Sequence, residues 1–159
     1  MTITRREWLV RMLGTIAGGA ALSALLSESA HAGVPRILMV YKDPNCGCCA
    51  KWITHIKANG LAPVVQDRKD MDALKDSLGI PVALRSCHTM VAGTLLIEGH
   101  VPADDVKRFI ASAPKGVLGI AVPGMPTGSP GMEMGSKKDK YDVIAFGPDG
   151  KTHEFATHG

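Results

Sequence analysis

Three cysteines occupy four consecutive positions in the stretch Cys46-Gly47-Cys48-Cys49. Cys46 and Cys49 have the C-x-x-C spacing at which a redox disulfide is sterically reasonable, and Cys48 adds a third thiol that a simple disulfide exchanger does not require. A bridge between the adjacent Cys48 and Cys49 would strain the peptide that joins them. The three thiols could therefore exchange disulfides, stabilise the fold or bind a soft metal ion.

The residues around these cysteines predict that they lie where a strand turns into a helix. Residues 37–41 form a continuous apolar run, the pattern of a strand buried on both faces. From Cys49 onward, apolar residues recur at positions 49, 52, 53 and 56, which is one helical face, and Asn59-Gly60 should end the helix. The first turn of a helix stabilises thiolates through its unpaired N–H groups and the positive end of its dipole.

The rest of the chain continues the order β-α-β-α-β-β-α, which is typical of a thioredoxin-like domain. A strand is predicted over residues 62–66, and a short helix follows Asp70 with Met71, Leu74 and Leu78 facing inward. Residues 91–97 indicate a hairpin or a bulged strand, and a helix begins at Pro102. We expect an α/β fold in which helices flank a mixed sheet.

The composition changes after residue 114. The many glycines and prolines of residues 114–135 predict a loop, and residues 142–146 and 151–156 predict a C-terminal β-hairpin. Met125, Met132 and Met134 lie in this Gly/Pro/Met-rich loop. Thioethers are natural Cu(I) ligands that need no deprotonation, although these side chains could instead fill gaps over the core.

A fourth cysteine stands in Ser86-Cys87-His88-Thr89, just before the third predicted strand. In a thioredoxin-like fold this segment packs beside the N-terminus of the first helix, which would bring Cys87 and His88 to the other thiols. Sulfur and imidazole ligands suit Cu(I) and Zn(II) far better than Mg(II) or Ca(II), and the methionines favour copper over zinc. The alternative is a structural disulfide at Cys87, with His88 as a polar loop residue.

The remaining histidines give weaker indications. His55 is predicted to be an exposed residue of the first helix, and His100 to fill a turn. His153 and His158 could reach a metal ion only if the terminal hairpin packs on the cysteines.

The first 32 residues read as a cleaved export signal. They contain Arg5-Arg6, a short apolar stretch at residues 12–26 and the small-x-small site Ala30-His31-Ala32, which favour the twin-arginine route over an ordinary secretory signal. Residues 33–159 then form one domain in the periplasm. This part has fifteen Lys and Arg against thirteen Asp and Glu, a balance that gives no indication of a nucleic-acid or membrane partner.

Four motifs in order, YKDPNCGCCAKW, SCHT, IEGHVPADDVKRF and GMPTGSPGMEMG, make residues 36–156 resemble the bacterial family called domain of unknown function 411. The resemblance implies an exported, thioredoxin-like protein that handles copper and could change its redox state. Matched by position, the family's cysteine motifs fall on Cys46, Cys48, Cys49 and Cys87. Its Cys-His-Thr step includes His88, and its methionine loop falls on Met125, Met132 and Met134. Cys87-His88-Thr89 stands where thioredoxins have a metal-shielding cis-proline, which favours metal binding over general disulfide exchange.

Together these observations predict a periplasmic copper-binding protein of copper tolerance. Its partners would be copper ions, as Cu(I) or Cu(II), and other periplasmic copper-handling proteins. If the protein is an enzyme, Cys46 and Cys49 would be its redox pair. Two alternatives remain open at this point: a thiol-disulfide oxidoreductase that acts on proteins, and a structural zinc module.

Overall fold

The computed structural model describes residues 37–112 and 114–159, and these form a seven-stranded mixed sheet with three α-helices. The export signal predicted over residues 1–32 lies outside the described residues. Within the described ranges, no helix has the length and apolar character needed to span a bilayer. The elements in chain order are β1 (Leu38–Lys42), α1 (Gly47–Ala58), β2 (Pro63–Asp67), α2 (Met71–Ser77), a 3-10 turn (Val82–Leu84), β3 (His88–Ala92), β4 (Leu95–Gly99), α3 (Ala103–Ser112), β5 (Gly119–Val122), β6 (Tyr141–Phe146) and β7 (Thr152–His158).

The strands lie in the order β2-β1-β3-β4-β5-β6-β7. β1 is parallel to β2 and antiparallel to β3, and β4 is antiparallel to β3 and parallel to β5. The β1–β2 pair needs a crossover, which α1 supplies, so α1 begins just after the C-terminal end of β1. Since Lys42, the last residue of β1, pairs with His88, the first residue of β3, the β3 start lies beside the α1 start.

Apolar side chains pack on both faces of the sheet because strand residues alternate between its two sides. The larger cluster joins the sheet to α1 and α3 through residues such as Val40, Trp52, Met90 and Phe109. The smaller cluster includes Ile80, Leu84, Leu96, Ala121 and Phe146. The β1–α1 junction is therefore attached to a well-packed core on its helix side.

The prediction of an irregular loop over residues 114–135 was wrong for its first part, because β5 lies there between β4 and β6. Gly119, which we interpreted as a loop signal, is a strand residue in close contact with its neighbours. A Cβ atom at this position would lie 2.5 Å from the Phe146 ring and 2.6 Å from the Leu96 carbonyl. The glycine therefore permits close packing within a strand.

The segment predicted as a hairpin or bulged strand is a hairpin. Its strands β3 and β4 meet at Gly93 and Thr94, and Gly93 has a φ of 64°, which a glycine adopts without strain. β3 begins at His88, so this residue is a buried strand residue and not the polar loop residue of our alternative interpretation. β6 and β7 pair in antiparallel orientation, with a register shift between Val143 and Ile144.

Candidate metal centre

The N-terminal end of α1 holds three of the four cysteines. Cys46 is the N-cap residue, and its Sγ accepts a hydrogen bond of 3.3 Å from the Cys49 N–H. Cys46 and Cys49 are joined by a disulfide, so the C-x-x-C pair occurs here in its oxidised form. The first turn of α1 contains no acidic residue that would oppose a thiolate at this end of the helix.

Cys48 has three further sulfurs within 4 Å of its Sγ. Its Sγ lies 3.5 Å from Cys46 Sγ and 3.7 Å from Cys87 Sγ, and the thiol points to Met125 Sδ at 3.9 Å. Cys48 and Cys87 are both free thiols and half-buried. Four sulfurs, including that of Cys48 itself, thus lie together at the N-terminal end of α1, and they come from three separate segments of the chain.

Cys87 connects this sulfur cluster to two imidazoles. Its Sγ lies 3.3 Å from His88 Nδ1 and 3.1 Å from His100 Nε2. The structure therefore contains two overlapping groups of potential metal ligands, each with its donor atoms within 4.8 Å of one another. The members are Cys46, Cys48, Cys49 and Cys87 in the first group, and Cys87, His88 and His100 in the second.

The hydrogen bonds of His100 determine its tautomer, that is, which ring nitrogen carries the proton and which has a free lone pair. Nδ1 lies 2.8 Å from the Pro130 carbonyl oxygen, which can only accept, so Nδ1 carries the proton. In the neutral ring, Nε2 is then unprotonated and accepts the Cys87 S–H. Histidines that bind metals typically have this arrangement: one ring N–H donates to a carbonyl, which fixes the ring so that the other nitrogen can bind the metal ion.

His88 has a nitrogen without a partner. Its Nδ1 lies 3.3 Å from the Cys87 sulfur, and the opposite nitrogen of the ring is Nε2. That Nε2 is buried and makes no hydrogen bond among the described residues. The ring is held between Trp52, with centroids 4.2 Å apart, and His100, at 5.0 Å. An unpaired buried polar atom is unfavourable, so this ring offers a position for an additional ligand.

Burial governs the protonation of this site. It lowers the pKa of both His88 and His100, so neither imidazole is charged at neutral pH. Burial, reinforced by the neighbouring Cys48, raises the pKa of the Cys87 thiol to about 12. The site is therefore uncharged on its Cys87 side, and a metal cation that binds this sulfur must displace its proton.

The three methionines predicted as ligands have different positions. Met125 approaches Cys48, although its side chain is 53% exposed. Met134 is 66% exposed and lies in a short bridge with Lys137. Met132 is half-buried, and its backbone N–H donates to Ser129 in a tight turn. Of the three, Met125 has a thioether contact with the cysteine cluster.

The loop that carries these methionines, residues 124–135 (the methionine loop), packs directly on α1. Gly131 has a φ of +89°, and a Cβ atom there would lie 2.8 Å from Trp52 N and 2.9 Å from the Cys48 carbonyl oxygen. The methionine loop also supplies Pro130, the acceptor for His100. It therefore covers the side of the cysteine cluster formed by the first turn of α1.

His100 is a site residue that we expected only to fill a turn. The hairpin register pairs Thr89 with Glu98 and Ala92 with Leu95, and the same register places His100 opposite Cys87. The hairpin, one of the two structures that the sequence predicts for this segment, gives this pairing once its two-residue turn is placed at Gly93-Thr94.

The other three histidines of the described residues lie outside the two ligand groups. His55 is half-buried instead of exposed, and its Nε2 accepts the Ala103 N–H at 3.1 Å. His158 Nε2 lies 2.6 Å from Asp105 Oδ2, and so ties β7 to α3. His153 is an exposed residue of β7.

Comparisons with known proteins agree with the resemblance seen in the sequence. The sequence model of a family described as "Protein of unknown function, DUF411" matches residues 84–132, the part that contains Cys87, His88, His100 and most of the methionine loop. A comparison with curated proteins found no match.

Two solved structures, titled "Copper resistance protein copG", Form 1 and Form 2, have sequence identities of 43% and 41% to this chain. The alignments cover 78% and 77% of this chain and 98% of the solved chain in each case, with a TM-score of 0.73 for both. At this identity over almost the whole of the solved protein, and with the family match, the chain belongs to the DUF411 family and is similar to copper resistance protein CopG.

Proposed function

We propose that this protein binds Cu(I) in the periplasm and contributes to copper tolerance. The observation that carries the proposal is the position of Cys48 Sγ, which lies within 4 Å of two cysteine sulfurs and one thioether. The proposed ligands are the thiolates of Cys46, Cys48, Cys49 and Cys87, with His88, His100 and a methionine completing or shielding the site.

The types of donor atom support copper over the other common metals. Neither group of potential ligands among the described residues contains a carboxylate, the ligand that Mg(II) and Ca(II) need. Thiolate and thioether ligands favour Cu(I), and neutral imidazoles also suit it. Zinc would bind the thiolates but would gain nothing from the Met125 thioether. The copper resistance title of the similar solved structures adds to this argument.

The disulfide gives the proposed site a redox partner for copper. Cys46 and Cys49 can bind metal only after their bridge is reduced by two electrons. In the opposite direction, two Cu(II) ions would each take one electron from a pair of thiolates, giving two Cu(I) ions and one disulfide. We propose that this exchange accompanies copper binding, with Cys46 and Cys49 as the redox pair.

The core architecture supports a thioredoxin-like fold, which we propose for β1 to α3. Strands β2-β1-β3-β4 are adjacent in this order, with β1 and β2 parallel and β3 antiparallel to both of its neighbours. The periplasmic location is proposed from residues 1–32 and would be tested by the N-terminal sequence of the exported protein.

Anaerobic copper loading tests the main proposal. The fully reduced protein would be mixed with excess Cu(I), desalted, and assayed for copper and for free thiols per chain. We expect at least one tightly held copper ion, and a Cys48→Ser variant that holds much less. The matched control is Met134→Leu, because Met134 is exposed and the thioether that contacts Cys48 is that of Met125. No more than trace copper in the reduced wild-type protein would refute the proposal.

A second candidate function is thiol-disulfide exchange with protein substrates. The observation that favours it is the disulfide at the N-terminus of α1, where a departing thiolate is stabilised. This function predicts turnover of insulin disulfides with no copper present. A rate equal to that of a Cys46→Ser variant would exclude it.

A further inference from the structure

A buried ion pair contacts the residues on either side of Cys87-His88 and has no role in the function proposed above. Lys75 of α2 is 2% exposed and Glu98 of β4 is 0% exposed, and their charged groups are in direct contact. The sequence predicts that Met71, Leu74 and Leu78 face the core, and they are half-buried, but the fully buried residue of α2 is Lys75. A charged pair in such a place requires explanation, because replacing it with apolar residues is often neutral or stabilising.

The hydrogen bonds of this pair are directed at the residues on either side of Cys87-His88. Glu98 Oε1 accepts the Ser86 N–H at 2.7 Å, and Glu98 Oε2 accepts the Thr89 hydroxyl at 2.6 Å. Lys75 Nζ donates to the Ser86 carbonyl at 2.7 Å. Both backbone polar groups of Ser86 are thus held by the ion pair, and one carboxylate bridges both ends of the Cys87-His88 dipeptide.

Ser86 extends this restraint to the methionine loop. Its hydroxyl donates to the Gly124 carbonyl, and Gly124 immediately precedes Met125. The ion pair therefore acts through one residue on two of the three sulfurs that lie within 4 Å of Cys48 Sγ, those of Cys87 and Met125. Cys87 itself needs an accurate position, because its sulfur lies between Cys48 and the two imidazoles.

We infer that Lys75 and Glu98 are positioning residues, which hold Cys87 and His88 in the geometry that the metal centre requires. The inference rests on the proposed copper function and adds to it the residues that orient the ligands. Neither side chain touches the metal ligands through its charged group, so its effect passes through the backbone of Ser86 and the hydroxyl of Thr89.

Two double variants separate positioning by hydrogen bonds from the effect of charge. Lys75→Met with Glu98→Gln (the Met/Gln protein) removes both charges but keeps a side-chain amide, which can accept a hydrogen bond from the Ser86 N–H and donate one to the Thr89 hydroxyl. Lys75→Met with Glu98→Leu (the Met/Leu protein) removes the charges and these hydrogen bonds together. Changing both partners at once avoids leaving a single buried charge, which would unfold the protein for reasons unrelated to the site.

The expected results are specific to each variant. The Met/Leu protein should fold, but its Cu(I) affinity, measured by competition with a chelator, should fall about 10- to 100-fold, the range for lost outer-shell partners of metal ligands. The Met/Gln protein should recover most of this loss. Val143→Ala, a core change in β6, provides a control for general destabilisation and should leave the affinity unchanged.

Hydrogen exchange and thiol alkylation of the metal-free protein provide a second test. The Ser86 amide, bonded to a buried carboxylate, should exchange its hydrogen as slowly as the β3 amides do. In the reduced Met/Leu protein, alkylation of Cys87 should be faster than in wild type, with Thr89→Val showing an intermediate rate.

Three outcomes would overturn the inference. These are wild-type copper affinity in a folded Met/Leu protein, an equal loss in Val143→Ala, and Ser86 exchange as fast as that of an exposed loop. If wild-type protein itself held no copper, the proposed function would fail together with this inference. If the wild-type protein binds copper and the Met/Leu protein binds it with the same affinity, only the positioning role would be rejected.

Discussion

The proton on Cys87 should make copper affinity depend on pH. Burial, with the nearby Cys48, raises the pKa of this thiol to about 12, so the sulfur carries its proton throughout the physiological range. Cu(I) binds the thiolate, and an ion that reaches Cys87 must therefore displace the proton. The sign follows directly: raising the pH favours copper binding, and lowering it favours the protonated, metal-free site.

The size of the effect follows from the same pKa. Between about pH 6 and pH 9 the pH stays below the Cys87 pKa, so one displaced proton changes the dissociation constant about tenfold per pH unit. Over these three units the change is about 1000-fold, or about 4 kcal/mol. The Cys87→Ser variant has no thiol proton to displace at this position. Its plot of log affinity against pH should have a slope smaller by one than that of wild type.

The assay is anaerobic competition between the reduced protein and a chromophoric Cu(I) chelator, repeated at each pH and corrected for protonation of the chelator. Met134→Leu provides the control and should reproduce the wild-type slope. Equal slopes for wild type and Cys87→Ser would refute the reasoning, because Cys87 would then release no proton on copper binding.

Three further predictions concern the surroundings of the cysteines. Met125→Leu should lower Cu(I) affinity several-fold without changing stability by more than about 0.5 kcal/mol, whereas Met134→Leu should change neither quantity. His100→Leu should lower the affinity about 10- to 100-fold, and should lower the free energy of unfolding by about 1 kcal/mol, because the half-buried Pro130 carbonyl loses its donor. Gly131→Ala should destabilise the protein more than Gly135→Ala in urea denaturation. Both glycines have positive φ, but a Cβ atom would meet the α1 backbone only at Gly131. Equal effects within either matched pair, or an unaffected His100→Leu protein, would contradict the corresponding prediction.

The local part of the site could be predicted from the sequence. The apolar run of residues 37–41 and the helical spacing from Cys49 identify a strand followed by a helix, and the structure has β1 and α1 there. These patterns involve residues close in sequence, whose periodicity directly reflects local geometry. The approach of Cys87 to the other cysteines needed a topology as well, and the predicted element order supplied it.

Features that depend on contacts between distant residues could not be predicted in the same way. Gly119 is required by the Phe146 ring of a neighbouring strand, so nothing in its own segment distinguishes it from a loop glycine. The same is true of Lys75, because the apolar positions from which the helix is predicted, Met71, Leu74 and Leu78, give no indication that Lys75 is buried. It is buried because Glu98 and Ser86, far along the chain, supply its partners. The orientation of the His100 ring likewise depends on a residue distant in sequence, because its Nδ1–H donates to the Pro130 carbonyl.

The sulfurs around Cys48 come from widely separated parts of the chain, and this links metal occupancy to folding. Cys87 lies 39 positions from Cys48, and Met125 lies 77 positions away. An unfolded chain keeps the three neighbouring cysteines of α1 near one another, but it cannot gather the rest. Copper held by the full set should therefore act as a cross-link of the native state alone, with a stabilisation of about 2.7 kcal/mol at a free concentration 100 times the dissociation constant. A copper-loaded molecule should in consequence resist heat and proteases better than a metal-free one, so the metal would extend the lifetime of the protein that binds it.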